Sequence, residues 1–222
     1  MAAKVPKGYR GIGMDGVIAV WYARNTRKSI EEYKKDAQKV AARLSGREEI
    51  LELAPGPGYL SIELAKLGND RITGLDISSK FVEIARKNAR EAGVDIDFRH
   101  GDASRMPFED DTFDFIVCRA AFKNFSRPVA ALDEMHRVLK PGGRALILDL
   151  RGDVSREAVE KHVKEDLGLN GFNRFMTKWA FKFMLIKRAY TKDAFEQLVS
   201  KSRFKTCDIQ TDTISLEVWL QK

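Results

Sequence analysis

Two carboxylates and one glycine-rich turn carry the residue types and spacing that can do chemistry. The turn lies in LELAPGPGYLSIELAKLG, Leu51 to Gly68, where an apolar strand runs into Ala54-Pro55-Gly56-Pro57-Gly58 and a helix follows. Helix N-termini and glycine turns favour anions because their amide groups point outward. A dinucleotide fingerprint needs G-x-G-x-x-G. Counted from Gly56, the third glycine position holds Ser61; counted from Ala54, the first glycine is missing. Pro55 and Pro57 also lack an N–H, so two donors are gone from a loop that a pyrophosphate would need. No P-loop lysine with its Ser/Thr partner is present. The loop therefore suits a nucleoside cofactor without phosphates better than NAD or ATP.

Two further acidic positions support a nucleoside. Asp76, in Leu75-Asp76-Ile77, follows the second strand, where a carboxylate can accept hydrogen bonds from both ribose hydroxyls. Aspartates also cap helices at such places. Asp102, in His100-Gly101-Asp102-Ala103, follows the third strand; it can accept from an adenine amino group while the Ala103 N–H donates to a ring nitrogen. All three features fall at the C-terminal edge of a parallel sheet, where open α/β folds bind ligands.

The elements that must position them alternate along the chain. Ser29-Ile30-Glu31-Glu32 reads as a capping box opening a helix from Ile30 to Leu44. Strands are predicted over Glu49–Leu53, Arg71–Leu75, Asp95–Arg99, Thr112–Cys118 and Arg144–Leu150. Helices are predicted over Tyr59–Lys66, Lys80–Ala92 with Gly93 as C-cap, Pro128–Leu139 and Lys192–Lys201. Lys140-Pro141-Gly142-Gly143 reads as a turn. Phe204–Gln210 and Ile214–Leu220 have strand character with only three residues between them, too few for a crossover, so they should form an antiparallel hairpin. The fold class is α/β: a doubly wound, Rossmann-like, mostly parallel sheet with a reversed strand near one edge.

The chain has 222 residues, 44% hydrophobic and 32% charged, an ordinary globular balance suited to one domain. Its net charge of +7 fits a well-solvated surface or an anionic partner. Cys118 and Cys207 lie far apart without metal-ligand spacing, so no metal is expected. The N-terminus lacks the apolar core of a signal peptide and no apolar run reaches membrane-spanning length, which makes a cytoplasmic location the default expectation.

Taken together, LELAPGPG, GLDIS, GDASRMPFEDDTFDFIVCR and ALDEMHRVLKPGGRALILD resemble the class I S-adenosylmethionine (SAM) dependent methyltransferases, similar to the ubiquinone/menaquinone-biosynthesis (type 11) subgroup. The resemblance implies a seven-stranded sheet and SAM as cofactor. It implies that Glu52, Ala54, Gly56 and Gly58 surround the methionine part and ribose, that Asp76 binds the ribose hydroxyls and that Ile77 packs on adenine. Asp102 and Ala103 would meet the adenine edge, and the backbone near Arg119 would approach the methionine amino group. Members often cover the cofactor with a tyrosine from an N-terminal helix; Trp21-Tyr22 is the match, with packing against the sheet edge as the alternative. Residues 1–48 would form a helical cover on a single 1–222 domain.

The sulfonium methyl is already activated, so transfer needs alignment and exclusion of water more than covalent help. A base is needed only if the acceptor loses a proton. His136 and His162 read as surface residues, and His100 as a strand-end polar residue. The loop Arg119–Phe125, which by resemblance lies beneath the transferred methyl, carries Lys123 and Asn124, able to orient or polarise an acceptor, and Phe122 and Phe125, able to shape its pocket. Many members have a histidine-rich stretch there; Lys123 as a surface charge is the plain alternative. Tyr22, Lys123 and Asn124 are thus the catalytic candidates.

Between Arg151 and Tyr190 lies an insertion in which Phe172, Phe175, Met176, Trp179, Phe183 and Ile186 recur at helical spacing beside Arg174, Lys178 and Lys182. Such a helix can dock on the sheet, close as a lid or meet a membrane surface. Trp21, Phe122, Phe125, Phe175 and Trp179 are the pocket candidates. The resulting expectation is a small-molecule methyltransferase acting on a hydrophobic or aromatic metabolite. An RNA or protein methyltransferase using the basic surface, a non-catalytic SAM-binding regulator and a dehydrogenase on a related nucleotide fold are the alternatives. No N/D-P-P-Y or Pro-Cys motif and no separate RNA-binding domain is present, which argues against a nucleic-acid substrate.

Overall fold

The structure, a computed structural model, describes residues 8–10, 16–68, 70–155, 157–158 and 186–222. Seven strands form one sheet of order β3-β2-β1-β4-β5-β7-β6. They are β1 Glu49–Leu53, β2 Arg71–Asp76, β3 Asp97–His100, β4 Phe113–Arg119, β5 Leu139–Leu150, β6 Asp208–Thr211 and β7 Ser215–Gln221. The helices described are α1 Gly16–Thr26, α2 Ile30–Ala41, α3 Tyr59–Ala65, α4 Ser79–Ala92, α5 Pro128–Val138 and α6 Lys192–Ser200. The first five strands pair in parallel, while β7 runs antiparallel to β5 and to β6. The reversed strand therefore sits one place in from the edge. The fold is the doubly wound, Rossmann-like sheet with a C-terminal hairpin that the sequence predicts.

Near-continuous apolar strands arise because both sheet faces are buried. Successive side chains point to opposite faces. Leu51, Leu53, Ile116 and Cys118 face a cluster with Leu132, Met135 and Phe195, from α5 and α6. Ile50, Phe115, Val117 and Leu146 face Tyr33, Ala37, Val40, Leu60 and Leu64, from α2 and α3. Helix α4 buries Val82, Ala85 and Ala89 around Phe98. It begins where the Ser78 side chain accepts from the Phe81 N–H and ends at Gly93, whose φ is +71°.

Two local predictions are corrected. Ser29 makes no side-chain cap bond, since its φ of −94° and ψ of +25° continue a 3-10 turn, Arg27–Ser29, running on from α1. A capping residue needs extended backbone, so no capping box can form there. Lys140–Gly143 is not a turn ahead of β5 but an irregular stretch inside it. Leu139 pairs with Phe113, the register shifts, and pairing resumes at Arg144 opposite Phe115. Gly142, at φ +79°, takes the strain, and its N–H donates to the Lys222 carbonyl at 3.1 Å.

The glycine turn carries a strict backbone requirement. Gly58 has φ +80°, and a Cβ there would stand 2.8 Å from Phe98 and 3.0 Å from Ala85. Left-handed strain and overpacking should together make Gly58→Ala cost about 2–4 kcal/mol in urea unfolding. A loss under about 0.5 kcal/mol, typical of a neutral surface change, would contradict this packing.

Candidate active site

Parallel pairing brings the C-terminal ends of β1 to β5 to one edge of the sheet, and side chains tie those ends together. Asp76, buried at 5% exposure, accepts from the Gly56 N–H at 2.9 Å with one oxygen and from the Ser78 N–H at 2.8 Å with the other. The Gly101 N–H donates to the Asp76 carbonyl at 2.9 Å, and His100 Nε2 pairs with the Ile77 carbonyl at 3.0 Å. The Ala120 N–H donates to the Leu148 carbonyl at 2.7 Å, holding Ala120 at φ +56° where the chain leaves β4.

The glycine turn has little left for a phosphate. The Gly56 N–H is given to Asp76 and the Gly58 N–H to the Pro55 carbonyl at 2.9 Å. At the start of α3 the Ser61 N–H donates to Glu52 at 2.9 Å, and the Ser61 hydroxyl donates to the same carboxylate. A protein carboxylate thus already holds the anion position of this helix. A dianion beside it would meet like charge in a buried setting. Burial pushes the Glu52 carboxyl up to about 7, against the hydrogen bonds from Ser61.

Asp102 accepts from the Ser104 N–H at 2.8 Å and hydroxyl at 2.6 Å, and pairs with Arg127 at 2.8 Å. Burial pushes its carboxyl up, but the Ser104 hydrogen bonds and Arg127 outweigh it and hold it below its usual range. Ile77 and Asp102 are also roofed by Gly8, where a Cβ would come within 2.7 Å of each. The Gly8-Tyr9-Arg10 strap is fixed by the Ser126 N–H donating to the Gly8 carbonyl at 3.1 Å. The Arg10 N–H donates to the Asn124 carbonyl at 2.7 Å. Burial, then Tyr22, pushes the Tyr9 phenol up, with Asp76 contributing. Sequence reasoning missed this strap; a single aromatic in an irregular terminal segment gives no periodic signal.

Tyr22 is half-buried, its ring edge-on to Phe81 at 5.8 Å. Burial pushes its phenol up, and the charge of Arg119 opposes this while those of Asp149 and Asp76 add to it. Trp21 does not share that burial: the residue is 65% exposed on α1. The Arg119 side chain turns to α2, pairing with Asp36 at 2.6 Å and Glu32 at 3.3 Å over the Tyr33 ring, so only its backbone belongs to the edge.

Lys123 is neither a surface charge nor open to a pocket. Its ammonium, 3% exposed as a residue, donates to Asp149 Oδ1 and to the Ala120 carbonyl, each at 2.6 Å. Asp149 Oδ2 accepts the Lys123 N–H at 2.9 Å, and Oδ1 the Leu150 N–H at 2.8 Å. The pair locks the loop after β4 onto the end of β5. Asp149 was also missed, although an ionisable residue closing the apolar run Ala145–Leu150 is a legible signal. Phe122 is fully buried, packed 5.1 Å from Phe195 and 5.2 Å from Phe125, so it supports the loop from below. Ala54 and Ala103 are partly buried, packed against the same core. His136 is half-buried against Phe204 at 5.1 Å rather than on the surface. Phe175, Trp179 and His162 lie outside the described residues.

A methyltransferase-domain family pattern matches residues 51–147. The demethylmenaquinone methyltransferase of Chlorobaculum tepidum is 32% identical over 185 residues, covering 78% of this chain and 72% of that protein. The chain belongs to the class I SAM-dependent methyltransferases. The ubiquinone/menaquinone biosynthesis C-methyltransferase of Bdellovibrio bacteriovorus is 32% identical over 152 residues, 67% of this chain and 58% of that one. The chain spans between 51% and 72% of the length of the curated relatives it matches first. Among solved structures, a candidate SAM-dependent methyltransferase of Methanococcus maripaludis shares the fold at TM-score 0.75 and 22% identity, covering 96% of this chain and 95% of that one. A SAM-dependent methyltransferase thus accounts for a glycine loop whose Gly56 and Gly58 amides are already spent within the protein.

Two measurements test the site's electrostatics. Removing one member of a buried ion pair strands the other, so Lys123→Met should cost about 3–5 kcal/mol in urea unfolding, and adding Asp149→Asn should recover part of it. A loss below about 1 kcal/mol, the range of exposed pairs, would contradict the burial. Glu52 binds its proton more tightly folded, at about 7, than at the ordinary 4.5. The stability this gives is complete below pH 4.5 and lost as pH rises to about 7. Wild type should therefore lose stability relative to Glu52→Gln across that window, by up to about 1.4 kcal/mol per pH unit, and a flat difference would refute the assignment.

Proposed function

We propose that this methyltransferase transfers the methyl group of SAM to a ring carbon of a small, hydrophobic hydroxylated aromatic metabolite. The relationship to proteins named for demethylmenaquinone and for ubiquinone/menaquinone C-methylation carries the acceptor class. The cofactor supplies an electrophilic methyl on a sulfonium. The donor set fits it: Asp76 and Asp102 are acceptors for ribose hydroxyls and an adenine amino group, with Ile77 and Ala103 beside them. Glu52, the Ala54–Gly58 turn and the backbone at Arg119 enclose the methionine end. Opposite charge favours an ionised Glu52 beside a cation.

On the acceptor side the chain aligns and excludes water rather than forming a covalent bond. SAM held by these residues would supply the activated methyl and leave as S-adenosylhomocysteine, and the proton displaced from the ring carbon would pass to water. Tyr22, edge-on to Phe81 at the start of α4, is the group we assign to contact the acceptor, with Asn124 on the loop after β4. Lys123 acts through Asp149 as a positioning residue, since its ammonium is already bonded. Phe122 and Phe125 hold that loop from beneath.

Labelled methyl from SAM should appear on the ring carbon of reduced naphthoquinones and related hydroquinones. No transfer to any hydroxylated aromatic in a broad panel, with SAM bound, would overturn the acceptor class. Asp76→Ala should weaken S-adenosylhomocysteine binding about 10- to 100-fold by removing two hydrogen bonds to a charged acceptor. Unchanged affinity in a variant that still unfolds cooperatively would show that Asp76 does not hold the ribose.

A further inference from the structure

The two sides of α1 differ in a way the site does not require. Its inner side carries Ala19 and Ala23, at 0% and 7% exposure, with the Ala23 carbonyl accepting from the Tyr59 hydroxyl at 2.9 Å. Tyr22 leaves this helix toward Phe81, at the start of α4. The outer side carries Val17, Ile18, Val20 and Trp21 at 84%, 44%, 45% and 65% exposure, four of the five large hydrophobic residues exposed among the described residues. One apolar side chain on a surface is ordinary, but four on adjoining turns mark an interaction face.

We propose that α1 docks on an anionic bilayer, with Val17, Ile18, Val20 and Trp21 seated at the headgroup–acyl boundary. Charge complementarity selects the occupant. Arg24, Arg27 and Lys28 follow the apolar cluster and are exposed, and no acidic residue occurs between Gly16 and Ser29. An exposed apolar face with a tryptophan, followed by three cations, suits contact with anionic headgroups. Two copies meeting through this face would bring like charges together. Docking would also set the helix that carries Tyr22 beside the lipid surface, where an acceptor too apolar for water resides. That consequence rests on the proposed acceptor class; the docking itself does not.

Sedimentation with sucrose-loaded vesicles tests it, using phosphatidylcholine alone or with one third phosphatidylglycerol. The protein should bind the anionic vesicles at least tenfold more tightly than the neutral ones and release as salt rises. Val17→Ser with Val20→Ser should weaken binding about 10- to 100-fold while leaving turnover of a water-soluble hydroquinone unchanged. The proposal falls if the protein ignores anionic vesicles or if the double variant binds them as well as wild type. It also falls if wild type is a dimer that the variant converts to monomer, which would make the face an interface between copies. Vesicle binding without turnover of any aromatic would instead remove the acceptor class and leave the docking intact.

Discussion

The Asp76 carboxylate is the constraint on which the rest of the site depends. It sits at the end of β2, is nearly buried, and takes the Gly56 and Ser78 amides, fixing the β1 loop and the start of α4 at once. Buried polar groups persist only when hydrogen-bonded, so the glycine turn cannot drift without stranding a charge. From that anchor the edge closes in both directions, through Gly101 and His100 to β3 and across the sheet to the Lys123–Asp149 lock between β4 and β5.

This arrangement explains why one loop architecture serves a sulfonium nucleoside and not a pyrophosphate. Removal of two amide donors by proline is half of the reason. The other half is that the Gly56, Gly58 and Ser61 amides are committed to Asp76, the Pro55 carbonyl and Glu52, beside the acceptors Asp76 and Asp102. Acceptors suit hydroxyls, amines and cations. Electrostatics therefore decides between cofactors that share a fold, while the fold alone is shared by many functions.

Much of this was legible in the sequence because the signals were local. The strand and helix cores, Gly93 as a C-cap and the terminal hairpin follow from period, glycine placement and loop length. What was not legible depended on partners distant in the chain. Lys123 reads as a surface charge because its partner lies 26 residues away. Ser29 sits in a good capping pattern, but the 3-10 turn before it removes the backbone geometry a cap needs. In α1 nearly every residue from Val17 to Ala23 is apolar, so no periodicity tells which face turns inward. The small Ala19 and Ala23 do, by allowing close approach, and Trp21 is left outside.

Calorimetric titration of the protein with S-adenosylhomocysteine, and in parallel with NADH, tests the central claim most directly. Saturable binding of the first, undisturbed by added pyrophosphate and with no heat from NADH, is the predicted result. Tight binding of NADH, or competition by pyrophosphate, would contradict a loop whose Gly56 and Gly58 amides are already held within the protein.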